Sequence, residues 1–233
     1  MNFVKLLGIA FAFTLVGCVT PQAPVKLSTA VEGKTVLVVQ GELPQAETQY
    51  TGSIGLLDYG IISAANSSLD EHLKALTFPE YQMTLSTLEK KLTEKGIKIA
   101  HYKSKLTADE MGKIKDAKEG KNMTDLTVYQ AQSPTDYVLL VLPGHLGTTR
   151  PYYGPVPTAE PVAVAAMTIQ LIDVKTNELK WYSQINATNT IVAPWDEKSF
   201  PNLTNAVYKS VNDLSRMLDA ELSSGNTASK VAN

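Results

Sequence analysis

Residues Ala166–Thr188 read AMTIQLIDVKTNELKWYSQINAT, and the alternation within them decides the fold. Met167, Ile169 and Leu171 fall on one side of an extended chain, with Thr168 and Gln170 on the other. After a turn at Lys175-Thr176-Asn177, Leu179, Trp181 and Ile185 share a face while Lys180, Gln184 and Asn186 point away. This is the period-two pattern of a half-buried antiparallel hairpin. Trp181 and Tyr182 alternate, which assigns Trp181 to the core and Tyr182 outward. A two-stranded ribbon cannot stand alone in water, so its apolar face must be covered by helices.

Those helices are present on both sides of the hairpin. Upstream, Tyr81, Leu85, Leu88 and Leu92 recur at helical spacing and predict an amphipathic helix over Glu80–Lys95. Gly96 ends it, and Ile97–Tyr102 turns into a strand. Downstream, Ser199-Phe200-Pro201 opens a last helix with Leu203, Val207, Val211, Leu214 and Leu218 on one face. KTVLVVQ at Lys34–Gln40 and TDYVLLVL at Thr135–Leu142 read as buried strands. Thr107-Ala108-Asp109-Glu110 has the form of a capping box for a second helix through Met111 and Ile114, and a third short helix is expected over Thr124–Gln132.

Two stretches resist this reading. Glu42–Ser68 is interrupted by the glycines of TGSIGLLDYG, yet Leu56, Leu57, Ile61 and Ile62 make it too apolar for a plain solvent loop, so it packs on the domain or on a partner. Pro143–Pro161 holds five prolines and three glycines and is expected to be an irregular loop. The expected fold class is therefore α/β (α+β): a single domain over residues 34–223, with a mixed sheet, a C-terminal hairpin and helices packed on it. Residues 224–233 are small and polar and read as a disordered tail.

The chain begins with Lys5, an apolar run from Leu6 to Leu15, and Leu15-Val16-Gly17-Cys18. The run has the length of an export signal and is too short for a permanent span. Leu-Val-Gly-Cys resembles the lipobox of bacterial lipoproteins. That resemblance implies a signal peptide over residues 1–17, cleavage before Cys18, and acylation (palmitate and related chains) of this sole cysteine, with residues 18–33 as a tether. Two or three acyl chains on one residue anchor permanently where one does not. Val19 in place of an aspartate implies sorting to the outer membrane, facing the periplasm. Removing Lys5 from 21 basic and 23 acidic residues leaves a net charge of −3. Mild acidity without a basic cluster argues against nucleic acid as a partner.

The residues that carry chemistry are scattered. His72, His101 and His145 have no partner at metal-ligand spacing, and no HExxH or CxxC motif occurs, so neither a metal nor a cofactor is expected. Gly144–Arg150 follows a strand but lacks the GxxxxGK[ST] spacing of a phosphate loop. Gly52-Ser53-Ile54-Gly55 lacks the first glycine of a nucleophile elbow. What remains is Arg150-Pro151-Tyr152-Tyr153-Gly154-Pro155, whose arginine and tyrosines suit a protein-binding surface; the alternative folds both rings back over the sheet. The rival to a binding module is an envelope hydrolase or small-ligand protein with a site near residues 143–161, assembled from His145, Arg150 and Asp136.

Asp136-Tyr137-Val138, followed by a hairpin whose turn reads Lys175-Thr176-Asn177-Glu178-Leu179-Lys180-Trp181 and then a long helix, resembles one shared domain. It is that of the curli-secretion lipoproteins, the outer-membrane lipoprotein activators of penicillin-binding proteins, and the amino-terminal domain of TolB. Asn177 stands where those families place glycine, and Glu42–Ser68 has no counterpart in them. The resemblance implies a non-catalytic binding or accessory module, not an enzyme, for a periplasmic or outer-membrane protein assembly. Neither irregular stretch shows the sustained alternation a membrane-spanning strand needs, which disfavours a secretion pore.

Overall fold

The computed structural model describes residues 22–224. The expected signal peptide, Cys18 and the tail beyond Ser224 lie outside the described residues. In chain order the elements are β1 (Thr35–Gln40), β2 (Glu47–Ser53), α1 (Leu56–Ala65), α2 (Ser67–Lys74), α3 (Pro79–Glu94), β3 (Lys98–His101), α4 (Ala108–Met111), α5 (Thr127–Gln130), β4 (Tyr137–Tyr153), β5 (Val156–Pro157), β6 (Val162–Asp173), β7 (Leu179–Thr190) and α6 (Pro201–Ser224).

They build one mixed sheet in the order β3-β1-β4-β6-β7, with β2 and β5 also paired to β4. The 17 residues of β4 form its axis. One edge of β4 is bordered first by β1, Val36 facing Tyr137 through Gln40 facing Val141, and then by β2, Glu47 facing Gly147 through Ser53 facing Tyr153. Both neighbours run parallel to it, end to end. The other edge pairs antiparallel with β6, and β6 with β7.

The predicted loop over Pro143–Pro161 is therefore corrected: its first half continues β4 through Tyr153, and Tyr152–Tyr153 turns back onto β5. The prolines sit where the ladder tolerates them. Pro143 borders a bulge that shifts the register before Leu146, and Pro151 lies past the last pair with β6, Thr149 with Val162. Two glycines let β2 approach. A Cβ at Gly147 (φ 127°) would lie 2.2 Å from the Glu47 carbonyl oxygen, and one at Gly52 (φ 101°) 2.2 Å from that of Tyr152.

The sheet is covered on both faces. On one, α6 presents Leu203, Val207, Val211, Leu214 and Leu218 and α3 presents Tyr81, Leu85, Leu88 and Leu92, all buried as their spacing predicted. These pack on Val36, Val38, Leu139, Met167, Ile169, Leu171, Trp181 and Ile185. On the other, the segment containing Leu106, Ala117, Leu126 and Tyr129 covers Leu37, Val39, Val138, Leu140 and Ile172. This second layer overturns the outward assignment of Tyr182, which is buried beneath it. Leu179 also changes face. Leu171 pairs with Trp181 but Ile172 with Leu179, so Lys180 is an extra residue and the bulge moves Leu179 to the side of Tyr182.

The capping box appears as expected: Thr107 N–H donates to Glu110 Oε2 at 2.8 Å, and Glu110 N–H to the Thr107 hydroxyl at 3.3 Å. The helix it opens stops at Met111, and the helix expected over 124–132 shrinks to Thr127–Gln130. The expected tether departs from the structure over its described part. Val25 exchanges backbone hydrogen bonds with Tyr182 at 2.9 Å each way, and Val31 is buried. Val25 packs against one core and Leu27 and Val31 against the other, which gives residues 25–31 reason to stay on the sheet.

Candidate functional site

Extending β4 past its bulge carries Arg150, Tyr152 and Tyr153 to the end of the sheet remote from the β6–β7 turn. Strand alternation then separates them. Arg150 and Tyr152 turn to the face covered by α1 and α2, and Tyr153 turns away. Tyr152 is buried, which corrects its expected role as a surface anchor. Its hydroxyl accepts from Asn66 Nδ2 at 3.0 Å and from Arg150 Nη1 at 3.5 Å. Asn66 sits between α1 and α2 and also donates to the Ile62 carbonyl at 2.7 Å, so this one amide ties the helix junction to β4.

The aromatic packing continues on both sides. Tyr50 meets Tyr152 edge-on with centroids 5.7 Å apart, and Tyr59 of α1 meets Tyr50 the same way at 5.8 Å. Tyr50 donates to Asp70 Oδ2 at 2.8 Å; burial first, and then that carboxylate, push its phenol well above the usual range. Asp70 Oδ1 also accepts from Thr48 N–H at 3.3 Å, pinning α2 over β2. The Arg150 guanidinium lies over Trp195, donates from Nε to the Ala159 carbonyl at 3.3 Å and sits 3.7 Å from Glu160. Its charge is thus spent on holding residues 159–160 and 195 against the strand.

This support holds out an apolar surface. In α1, Leu56 and Leu57 are 92% and 85% exposed, Tyr59 and Ile61 are exposed as well, and Ile62 is the residue that is buried. Beside it, Tyr153 is 74% exposed and Val156 is exposed at the β4–β5 turn. The two parts adjoin: Gly154 N–H donates to the Ser53 carbonyl at 2.8 Å, and a Cβ on Gly154 would lie 3.9 Å from Asp58 Oδ2. Asp58 in turn accepts from Gly55 N–H at 3.0 Å across the first turn of α1. Exposed leucines, isoleucine and tyrosine on α1, with Tyr153 and Val156 exposed at the same end of the domain, mark an interaction surface.

The rival constellation is not brought together. Asp136 precedes β4 and accepts from Thr35 N–H at 2.9 Å; His145 lies in the bulge with Nε2 2.9 Å from the Thr148 carbonyl; Arg150 lies further along the same strand. Asp136 and Arg150 are about 45 Å apart along an extended chain. His72 meets the Thr204 hydroxyl at 2.7 Å, and His101 lies 3.8 Å from Glu89, each on a different element. Among the described residues no group of three or more His, Cys, Asp or Glu could hold a metal ion, and no helix is long and apolar enough to cross a membrane. A pocket of about 90 Å³ between residues 26–32 and the end of α6 is floored by Trp181 and Glu221, where Glu221 Oε1 accepts from the indole N–H at 2.7 Å. It has room for about three waters, short of the few hundred Å³ that small-molecule sites occupy.

Of the surface residues, the sequence pointed to Tyr153, and it flagged Leu56, Leu57 and Ile61 as too apolar for solvent without placing them. Val156 and Tyr59 went unnoticed; the one available signal was their closeness in sequence to those residues.

No family model matches the chain, and no curated protein matches it. Among solved structures, the hypothetical protein CT253 from Chlamydia trachomatis is similar over 81% of this chain and 95% of its own, at 12% identity and TM-score 0.40. The PelC dodecamer subunit from Paraburkholderia phytofirmans matches over 86% of this chain and 92% of its own, at 12% identity and TM-score 0.32. Lipoprotein GNA1162 from Neisseria meningitidis matches over 77% of this chain and 99% of its own, at 14% identity and TM-score 0.27.

Proposed function

We propose that this chain is a lipid-anchored protein of the bacterial envelope that serves as a non-catalytic binding or accessory module for a periplasmic or outer-membrane protein assembly. Acylated Cys18 holds it to the inner face of the outer membrane, and the end of the sheet formed by α1, Tyr153 and Val156 receives the partner. The observation that carries this reading is α1 itself: a helix with two leucines, an isoleucine and a tyrosine turned to solvent. Each such side chain gains on the order of 1.5–3 kcal/mol when buried, so the surface is costly to leave bare and rewarding to cover. Arg150 and Tyr152, expected as contacts, act beneath the surface and position it. The sequence pattern shared with the curli-secretion lipoproteins, the penicillin-binding-protein activators and the TolB amino-terminal domain supports the same role.

The chain joins the sheet at Val25, opposite Tyr182, near the β6–β7 turn, whereas β4 delivers Tyr153 about 40 Å further along. A photo-crosslinking residue at position 57 or 153 of the full-length protein in cells tests the reading. One envelope protein should be captured from both positions, and the capture at 153 should be lost when Leu57 is also changed to Ser. Correctly exported protein that captures nothing from either position refutes it.

A further inference from the structure

The outer edge of β7 is open. Tyr182 exchanges both of its backbone hydrogen bonds with Val25, so its N–H and C=O point away from β6, and period two gives the same direction to Gln184, Asn186, Thr188 and Thr190. Among the described residues none supplies these four with a backbone partner. Folded proteins guard such edges with proline, lysine or a bulge. From Trp181 to Thr190 the chain reads WYSQINATNT, without proline or charge, and its register with β6 is unbroken. The side chains of Gln184, Asn186, Thr188 and Thr190 are exposed.

α6 runs beside this edge. Asp213 bonds to Asn189, and Glu221 to Trp181 and Ser183, so the flank of α6 that contains them follows β7. Met217 lies one turn from each and is 46% exposed, and Ala220 on the same flank is exposed as well. The charges here are divided: Lys209, Asp213 and Arg216 make the N-terminal half of the flank net positive, and Glu221 makes the C-terminal half negative. Asp219 belongs to the other flank, where it pairs with Lys91 of α3. At the closed end of the edge, Lys26 follows Val25 and Lys180 is paired with Glu178.

We infer that β7 pairs antiparallel with β7 of a second copy of this chain, Gln184 opposite Thr190 and Asn186 opposite Thr188, to make one continuous sheet across two molecules. Each of these pairs exchanges two backbone hydrogen bonds. Val25 sets the register. Centring the pair on Asn186 would bring Thr190 of the second copy onto the place that Val25 holds opposite Tyr182, whereas centring it on Ala187 uses residues 184–190 and leaves Val25 where it is. Two features single out a second copy over an unrelated strand. The edge is neutral, so it meets itself without opposing like charges. The two-fold axis also turns the Lys209 end of one α6 toward the Glu221 end of the other, with a Met217 on either side of the axis. The inference is independent of the partner surface, since β7 and β2, which α2 covers, lie on opposite sides of β4.

The test is sedimentation equilibrium of the full-length protein in density-matched detergent, where the parent should dimerise. Asn186→Lys/Thr188→Lys sets lysine opposite lysine on both sides of the axis and should weaken association at least about tenfold. Asn186→Lys/Thr188→Glu sets lysine opposite glutamate in the same register and should restore it. All of these side chains face solvent, so the near-UV circular dichroism of the variants should match the parent. Hydrogen exchange supplies a second measurement. In the parent the amides of Gln184, Asn186, Thr188 and Thr190 should be protected, and in the Lys/Lys variant these four should exchange fast while Ser183, Ile185 and Ala187 stay protected by β6. A monomeric parent overturns the inference, whether the four amides exchange freely or are protected by a segment of the same chain. So does a dimer that survives the Lys/Lys change, or one that the Lys/Glu change does not restore. Each of these results leaves the reading of α1 standing, because that reading fails only if positions 57 and 153 capture nothing in cells.

Discussion

The guanidinium of Arg150 lies 4.7 Å from the ring centroid of Trp195 and 5.7 Å from that of Tyr152, so one cation holds the segment after β7 against the far half of β4. Trp195 is itself stacked on Phe200, whose ring is 5.2 Å from His72 of α2. Arg150→Ala should therefore loosen residues 191–200 as well as lower stability, by about 1–2 kcal/mol in a urea melt. Arg150→Lys should recover little of it, because an ammonium cannot stack and bond as the planar fork does. Hydrogen exchange in residues 191–200 that is unchanged by Arg150→Ala would show that the stack is not what holds them.

Adjacent tyrosines should behave in opposite ways. Tyr152→Ala removes a buried ring and the acceptor of Asn66, with an expected cost of about 3–5 kcal/mol. Tyr153→Ala should leave stability within about 0.5 kcal/mol and weaken partner capture. Thermal melts of the two variants decide the matter, and equal losses would mean that the face assignment is wrong.

Gly147 is the close-approach point of β2 on β4. Gly147→Ala places a methyl group 2.2 Å from the Glu47 oxygen at a φ of 127° that alanine avoids, and should cost upward of about 2 kcal/mol. If the urea midpoint does not move, the two strands do not pair as described.

Trp181→Ala should cost about 3–5 kcal/mol, since the ring is fully buried and its N–H is bonded to Glu221. Trp181→Phe fills most of the space but removes the indole donor to Glu221 Oε1, while the Ser183 hydroxyl still donates to Oε2, and should cost about 1–2 kcal/mol by chemical denaturation.

Asp213 of α6 accepts from Asn189 Nδ2 at 3.0 Å and from Lys209 Nζ at 3.1 Å and pairs with Arg216, linking the end of β7 to the helix. The Asn189 bond first, and then the two cations, lower its pKa to about 2. A depressed carboxylate stabilises the fold above its unfolded pKa, about 3.9, and that contribution is lost as pH falls toward about 2. The amount is on the order of 1 kcal/mol, given partial solvent screening. Asp213→Asn should flatten the stability profile between about pH 4 and 2, and a profile that overlays the parent would remove Asp213 from the account.

The elements legible in the sequence were those with one buried face and a regular period. Tyr81 to Leu92 and Leu203 to Leu218 declared their helices because solvent on the other side forced a period that can be read, and Met167 to Leu171 their strand because polar Thr168 and Gln170 alternate with them. Tyr182 and Leu179 were misread where that premise fails. A second layer covers the sheet there, and the extra residue Lys180 breaks the count of two. The far half of β4 was hidden by Pro143 and Pro151, whose tolerance depends on a bulge and on a strand edge that only the assembled sheet creates. The candidate site was half visible for the same reason. Read as a loop, Arg150, Tyr152 and Tyr153 were all free to face outward, whereas in a strand alternation allows Tyr153 out only by turning Arg150 and Tyr152 in.

The end-to-end placement of β1 and β2 along β4 has a mechanical consequence. A protein held at Val25 and gripped at Tyr153 is pulled lengthwise along its central strand, at right angles to the antiparallel hydrogen bonds that join β4 to β6 and β6 to β7. Those bonds share the load in shear and must yield together instead of opening one by one from an end. Tension applied between Val25 and Tyr153 is thus carried by many hydrogen bonds at once.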